Sequence, residues 1–227
     1  MAITVTVAQQ KGGSGKTSLS AHLAVAWCDP KFTLELGEPR PLRVIALDLD
    51  PQESLTRWFE VRGRRGEGVG GLEVRRAAGW RLTSEILRAK READIIVLDL
   101  PPGCDSSCAA AIRSADLCVV PLQLSPMDLW ATSPTIDLAR RAGVPALLVL
   151  NRVPARARLN DEVIAAAKGA NWPLATATLG NRILFAESLM SGRGVTEESP
   201  SSLAAAELRL LAREIFDRTR TWPAAAA

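Results

Sequence analysis

Runs of apolar residues recur along the chain at Ile3–Val7, Leu42–Leu47, Asp94–Leu98, Leu117–Leu122 and Ala146–Leu150, with a weaker one at Leu174–Ala177. Most are continuous rather than alternating, the pattern of parallel strands covered on both faces. The stretches between most of them suit helices, over 15–29, 52–62, 80–92, 106–114, 127–142, 160–170, 181–191 and 202–219. Such alternation predicts a doubly wound α/β fold, a mostly parallel sheet with helices on both faces and right-handed crossovers. No break in composition divides the 227 residues, so residues 1–221 read as one domain and 222–227 as a short tail.

Ligands of such sheets bind beyond the carboxyl ends of the strands, and three of the runs end in residues that carry chemistry. The first leads into QQKGGSGKTS at 9–18, the second into LDLDPQES at 47–54, the third into LDLPPG at 98–103. In the first, Gly12, Gly13 and Gly15 let backbone N–H groups converge on an anion at a helix N-terminus, whose dipole also favours negative charge. The loop almost fits the phosphate-binding pattern G-x-x-x-x-G-K-[ST], with Lys16 to reach the β/γ-phosphates and the Thr17 hydroxyl to ligate Mg²⁺. It departs in two ways: Gln10 replaces the first glycine, and a second lysine, Lys11, follows it. Asp99, after four apolar residues, has the position of a Walker-B carboxylate in the metal shell. Asp48 and Asp50, two apart, fall on one side of an extended segment near the γ-phosphate end.

Together, KGGSGKTS at 11–18, LDLDPQES at 47–54 and VLDLPPG at 97–103 resemble the deviant-Walker P-loop ATPases of the ParA/MinD family, most closely the short ParA-like partition and positioning proteins. The resemblance extends more loosely through VLNRV at 149–153 and 187–208. It implies ATP and Mg²⁺ as ligands, with Gly12, Gly13, Ser14, Gly15, Lys16, Thr17 and Ser18 holding the phosphates and Asn151 the adenine. By the same resemblance Asp50 orients the attacking water, Asp48 supports the Mg²⁺ shell with Thr17 and Asp99, and Glu198, Ser199 and Pro200 lie near the base. Lys11 would cross to the nucleotide of a partner subunit, so that two ammonium groups neutralise the phosphates only in an ATP-dependent homodimer.

The net charge of +3, from 28 basic and 25 acidic residues, is too small to diagnose a nucleic-acid partner by itself. Basic residues do cluster, at Arg62, Arg64 and Arg65, at Arg152, Arg156 and Arg158, and at Arg182 and Arg193. The resemblance implies that Arg158 and Arg182 help the ATP-bound dimer bind nonspecific DNA, and that a ParB-like or other partner protein stimulates hydrolysis. A MinD-like membrane cycle would need a basic amphipathic C-terminal helix; the chain ends instead in Thr221-Trp222-Pro223 and four alanines, so no stable membrane association is expected. No run approaches ~18 apolar residues, and the first residues read as a strand, so neither a membrane span nor a signal peptide is expected. The four cysteines lack framework spacing, which suits a reduced, cytoplasmic setting; that the protein is nucleoid-associated there is what the resemblance implies. Cys104 and Cys108 offer only a C-x₃-C spacing, against an iron–sulfur carrier, and the sole histidine, His22, reads as structural. DPKFTLELGEPRP at 29–41 is longer than a simple turn; Gly37, Pro39 and Pro41 argue there for a surface loop or hairpin rather than a helix.

Overall fold

A computed structural model describes residues 2–38, 40–64, 70–77, 81–103, 106–154 and 159–221. Arg65, Cys104, Arg156, Arg158 and the tail from Trp222 lie outside these. In chain order the elements are β1 (Ile3–Val7), α1 (Lys16–Cys28), α2 (Pro30–Glu35), β2 (Val44–Asp48), α3 (Ser54–Arg64), β3 (Leu72–Arg76), α4 (Leu82–Glu92) and β4 (Ile95–Asp99). They continue with α5 (Ser106–Arg113), β5 (Leu117–Leu122), α6 (Pro126–Arg141), β6 (Ala146–Leu150), α7 (Leu159–Gly169), α8 (Ile183–Met190), α9 (Val195–Glu198) and α10 (Leu203–Thr221).

The six strands form one sheet in the order β3-β2-β4-β1-β5-β6, every neighbouring pair parallel. Alternate residues feed two cores. Val5, Val7, Val44, Ala46, Val97, Val119 and Val149 face one, under α1 and α10; Ile45, Leu47, Ile96, Leu98, Val120 and Leu148 face the other, under α4, α5 and α6. Helix α1 is buried almost all round, from Leu19 to Trp27, as expected of a helix caught between a sheet and a second helix. Trp27 Nε1 donates to Ala212 O of α10 at 3.1 Å, which satisfies the one polar atom of that buried ring.

Three local expectations change. The segment after α1 contains a helix, α2, because Asp29 caps it, accepting from Lys31 N at 2.9 Å, and Pro30 starts it with its φ already set. Gly37, at φ +74°, ends that helix rather than preventing it; Glu38 N donates back to Thr33 O at 3.0 Å. Strand β3 lies at the sheet edge, where Leu72 is its only buried residue and Glu73 and Arg76 are exposed, so no apolar run announced it. Leu174–Ala177, conversely, makes a single bridge, Leu174 with Leu148. Its next amides, Thr176 N and Ala177 N, donate to the Glu214 carboxylate of α10 at 2.9 Å, which ends strand pairing there.

Candidate nucleotide site

Strand register places the carboxylates. Val7, the last residue of β1, is level with Asp99 of β4, and Asp99 is level with Asp48 of β2. The Gly-rich loop and both aspartates therefore share one end of three adjacent strands. Chain growth reverses here, since β4 and β5 flank β1 on opposite sides, which is where a crevice opens in a doubly wound sheet.

The loop is held by side chains far away in sequence. Gln9, 2% exposed, donates from Nε2 to Thr132 Oγ1 at 3.0 Å and to Pro121 O at 3.4 Å, and accepts from Thr135 Oγ1 at 3.3 Å. Gln10, where a first glycine was expected, takes no strained conformation; its N donates to Thr135 Oγ1 at 3.3 Å and its carbonyl accepts from Gly103 N at 3.0 Å. Gln123 Nε2 donates to Gly13 O at 2.7 Å, and Asn151 Nδ2 to Ser14 O at 2.9 Å. Gly15 stands at φ +92°, and a Cβ there would come within 2.5 Å of Asn151 Nδ2. It also precedes α1, whose N-terminus has no side-chain cap, so its first amides remain available to an anion.

Lys16 is 6% exposed and its Nζ donates to Lys11 O at 3.3 Å. The Lys11 ammonium pairs at 2.8 Å with Asp128 at the start of α6, a carboxylate that also accepts from Ser125 Oγ. Asp48, 3% exposed, accepts from Asp50 N at 3.1 Å and from both N and Oγ1 of Thr56, at 2.9 and 2.8 Å. It thus shapes the turn that presents Asp50, which itself accepts from Gln52 N at 2.9 Å. Asp99 is wholly buried; Oδ1 accepts from Ser20 Oγ at 2.8 Å and, among the described residues, Oδ2 has no partner. Burial pushes its carboxyl up to about 7, and the Asp48 charge adds to this, while the Ser20 and Thr17 hydroxyls and Lys16 pull it back. A buried carboxylate with one orphaned oxygen, beside a threonine hydroxyl and a phosphate-type loop, fits a hydrated divalent cation.

Two cavities meet at this end of the sheet. The smaller, about 250 Å³, is bounded by Gly13, Lys16, Thr17, Asp50, Pro102 and Arg152, the residues that would surround phosphates. The larger, about 400 Å³, is bounded by Ser18, Asn151, Arg152, Leu179, Arg182 and Phe185, and has the mixed apolar and amide lining that suits a base. Arg152, at φ +53°, borders both. Neither Glu198, Ser199 nor Pro200 lines either cavity; Pro200 borders a third, on another side of α9, so their expected place near the base is not seen.

The basic residues divide. Arg182 caps no helix bond; its guanidinium pairs with Glu207 at 2.9 and 2.6 Å, on the wall of the larger cavity. Arg62 is 5% exposed and doubly bonded to Glu197, which removes it from any solvent-facing cluster. Cys108, on α5, is buried in the core beneath that helix. His22 Nδ1 accepts from Val195 N at 3.2 Å and Nε2–H donates to Phe185 O at 3.0 Å, so it clips α1 to α8 and α9 as a neutral ring. Gln9, Gln123, Asp128 and Arg152 were not foreseen as parts of the site, because each acts across more than a hundred residues of sequence or through a bend no motif encodes.

A sequence model of the CobQ/CobB/MinD/ParA nucleotide-binding domain matches residues 5–195. The chain is 25% identical over 212 residues to the maintenance of carboxysome distribution protein A of Halothiobacillus neapolitanus, covering 91% of this chain and 92% of that one. It is 27% identical over 254 aligned positions to the chromosome-partitioning ATPase Soj of Thermus thermophilus, covering 95% and 96%. Among solved structures, the septum site-determining protein MinD of Pyrococcus horikoshii, complexed with Mg-ADP, superposes with a TM-score of 0.74 at 20% identity, over 95% and 96% of the two chains. The match in family, fold and loop agree: the chain belongs to the CobQ/CobB/MinD/ParA nucleotide-binding family and is a ParA-type P-loop ATPase of the deviant-Walker kind.

Proposed function

We propose that residues 1–221 act as one Mg²⁺-dependent unit that hydrolyses ATP to ADP and phosphate, dimerises around ATP, and in that state binds DNA without sequence preference. The cycle would position a cargo in a cytoplasmic, nucleoid-associated setting, with a ParB-like or other partner protein stimulating hydrolysis. The observation that carries this reading is the orphaned Asp99 Oδ2 behind a loop bearing two lysines, one buried and one partly exposed and paired with Asp128. Similarity to a carboxysome-distribution protein and to a chromosome-partitioning ATPase supports positioning of cargo over other uses of this fold.

Phosphoryl transfer needs alignment and charge neutralisation more than covalent help from the protein. Lys16 and the amides from Gly12 to Ser18 would hold the β/γ-phosphates, and Thr17 with Asp99, steadied by Asp48, would hold the cation. When bound, Mg²⁺ supplies charge neutralisation at the phosphate oxygens. Asp50, on the edge of the phosphate cavity, would orient the water, and Asn151, already anchored to Ser14 O, would meet the base. Lys11 would exchange Asp128 for the partner subunit's nucleotide, which makes ATP part of the dimer interface. Arg182 would contribute to a DNA surface only after yielding its Glu207 pair or with other cations beside it, Arg158 among them.

The test is co-sedimentation of the purified chain with DNA and, in parallel, with anionic liposomes, each with ATP, ADP or no nucleotide. ATP-dependent pelleting with DNA is expected. ATP-dependent pelleting with liposomes alone would replace the DNA reading by a membrane-cycling one, and pelleting with neither would reject the carrier role.

A further inference from the structure

Asn151 and Val153, the residues on either side of Arg152, are fixed by hydrogen bonds. Asn151 N donates to Leu122 O at 2.8 Å and its Nδ2 to Ser14 O at 2.9 Å; Val153 N donates to Leu179 O at 2.9 Å, and its carbonyl accepts from Asn181 N at 2.8 Å. Between these anchors the backbone passes through the left-handed region, with Arg152 at φ +53°. Glycine or asparagine takes that conformation readily, whereas a long side chain does so at a cost in stability. Nothing within the chain offsets that cost. Arg152 is exposed and, among the described residues, makes no hydrogen bond or ion pair. Disfavoured backbone held in place by its surroundings gathers where ligands bind.

The other cations of the site are engaged inside the chain: Lys11 pairs with Asp128 at 2.8 Å, Arg182 with Glu207 at 2.6 Å, and Lys16 Nζ donates to Lys11 O at 3.3 Å. The Arg152 guanidinium is left to a ligand, and its place says to which part. Only Ser18 and Arg152 border both the phosphate cavity and the larger one that suits a base. In a nucleoside polyphosphate, the group joining ribose and base to the β/γ-phosphates is the α-phosphate. Ser18 meets that junction from α1. Leu19 N is the first amide of the helix to bond back, to Gly15 O at 2.9 Å, so Ser18 N belongs to the unpaired first turn and can donate to an anion. Arg152 meets it from the loop after β6, with a planar fork of donors that matches two phosphate oxygens at once.

We infer, on the nucleotide reading of the site proposed above, that Arg152 binds the non-bridging oxygens of the α-phosphate, across the junction of the two cavities. The left-handed backbone at 152, pinned on both sides, is what aims an otherwise unpaired guanidinium there.

Calorimetric titration of the full chain with ADP and with both diastereomers of ADPαS, in which sulfur replaces one non-bridging α-oxygen, tests this. Arg152→Gly removes the guanidinium and accepts the left-handed backbone; Arg152→Asn also tolerates it and carries the test if the glycine variant melts early. ADP affinity should fall about tenfold in either variant. For the wild type, one diastereomer should bind about fivefold more weakly than ADP, because sulfur accepts poorly from a guanidinium, and that difference should shrink to within about twofold in the variants. Unchanged ADP affinity in a variant with wild-type melting would overturn the assignment, whatever the effect on DNA binding. So would equal affinity of the wild type for ADP and both diastereomers. A lower affinity with the sulfur penalty retained would move Arg152 to another part of the nucleotide and overturn it too. Failure of the wild type to bind ADP at all would instead reject the nucleotide reading, and the inference with it.

Discussion

Gly15 shows how one residue couples the loop to the base side of the site. Two separate costs bar any side chain there: a φ of +92°, and a Cβ position 2.5 Å from Asn151 Nδ2. Gly15→Ala should therefore abolish nucleotide binding in a fluorescent-nucleotide titration. Wild-type affinity in that variant would show that the loop tolerates both costs. Lys16 and Asp50 differ in kind. Lys16 is buried against the loop, whereas Asp50 borders the phosphate cavity and its carboxylate accepts from Gln52 N. Lys16→Ala should lose nucleotide affinity; Asp50→Ala should keep it within about twofold and lose phosphate release by on the order of a hundredfold, as expected when a positioned water loses its guide. Wild-type turnover by Asp50→Ala would remove Asp50 from that role. Most of these residues were legible before any coordinates, because glycines, a lysine and aspartates at the ends of apolar runs have few other uses. Gln9 and Asp128 were not. Their partners, Thr132 and Lys11, are 123 and 117 residues away, and only the folded sheet brings them together.

At the scale of elements, legibility followed burial. The five strands with buried runs were found with small changes at their ends; the edge strand β3, half exposed and charged, was missed, and α2 was hidden by the very residues that terminate it. The order of strands could not be read at all, since crossovers leave no mark in local periodicity. His22 links three of these elements, α1, α8 and α9, and supplies a pH test of the packing between them. Burial holds its pKa down at about 4, although the Phe185 carbonyl and Glu197 oppose this. In the unfolded chain the same ring titrates near ~6.5. The unfolded state therefore binds the extra proton first: the contribution to stability is complete above about pH 6.5 and is lost as pH falls toward 4, by at most about 3 kcal/mol. Denaturant midpoints of the wild type should fall over that interval more steeply than those of His22→Asn, which is less stable at neutral pH. Because the chain has one histidine, its ring protons give a single pair of NMR signals. A titration midpoint near ~6.5 for the native ring would show that the clip between the helices is open.

For the whole molecule, the proposed function raises the question of how a chain with a net charge of only +3 would hold a polyanion when nucleotide is present. A two-fold dimer presents each cation twice, so weak contacts on one subunit become paired contacts on the assembly. Lys11 controls that step in the proposed cycle. In the unliganded chain its ammonium is satisfied by Asp128, so Lys11→Ala in the Asp50→Ala background should bind ATP yet remain a monomer in light scattering. A persistent ATP dimer would exclude the inter-subunit role. DNA affinity of the Asp50→Ala dimer can then be read against salt. Counterion release gives a log–log slope of about −0.9 per phosphate neutralised, so removing one true contact residue should make the slope shallower by roughly two units, one for each subunit. Arg182 now bonds Glu207, and Arg182→Ala alone would leave an unpaired carboxylate on the same surface, which weakens DNA binding by repulsion as well. Arg182→Ala paired with Glu207→Gln separates these effects: a slope still shallower by about two units marks a phosphate contact, whereas recovery of the parent slope shows that only the uncovered charge mattered. Arg158→Ala, with no acid removed, should show the full change in slope without loss of ATP-driven dimerisation, and equally on unrelated DNA sequences, because phosphate contacts carry no base information. Parent slopes in both variants would move the DNA surface away from Arg158 and Arg182, and Arg64 would be the next residue to replace, since the buried Arg62 beside it is committed to Glu197.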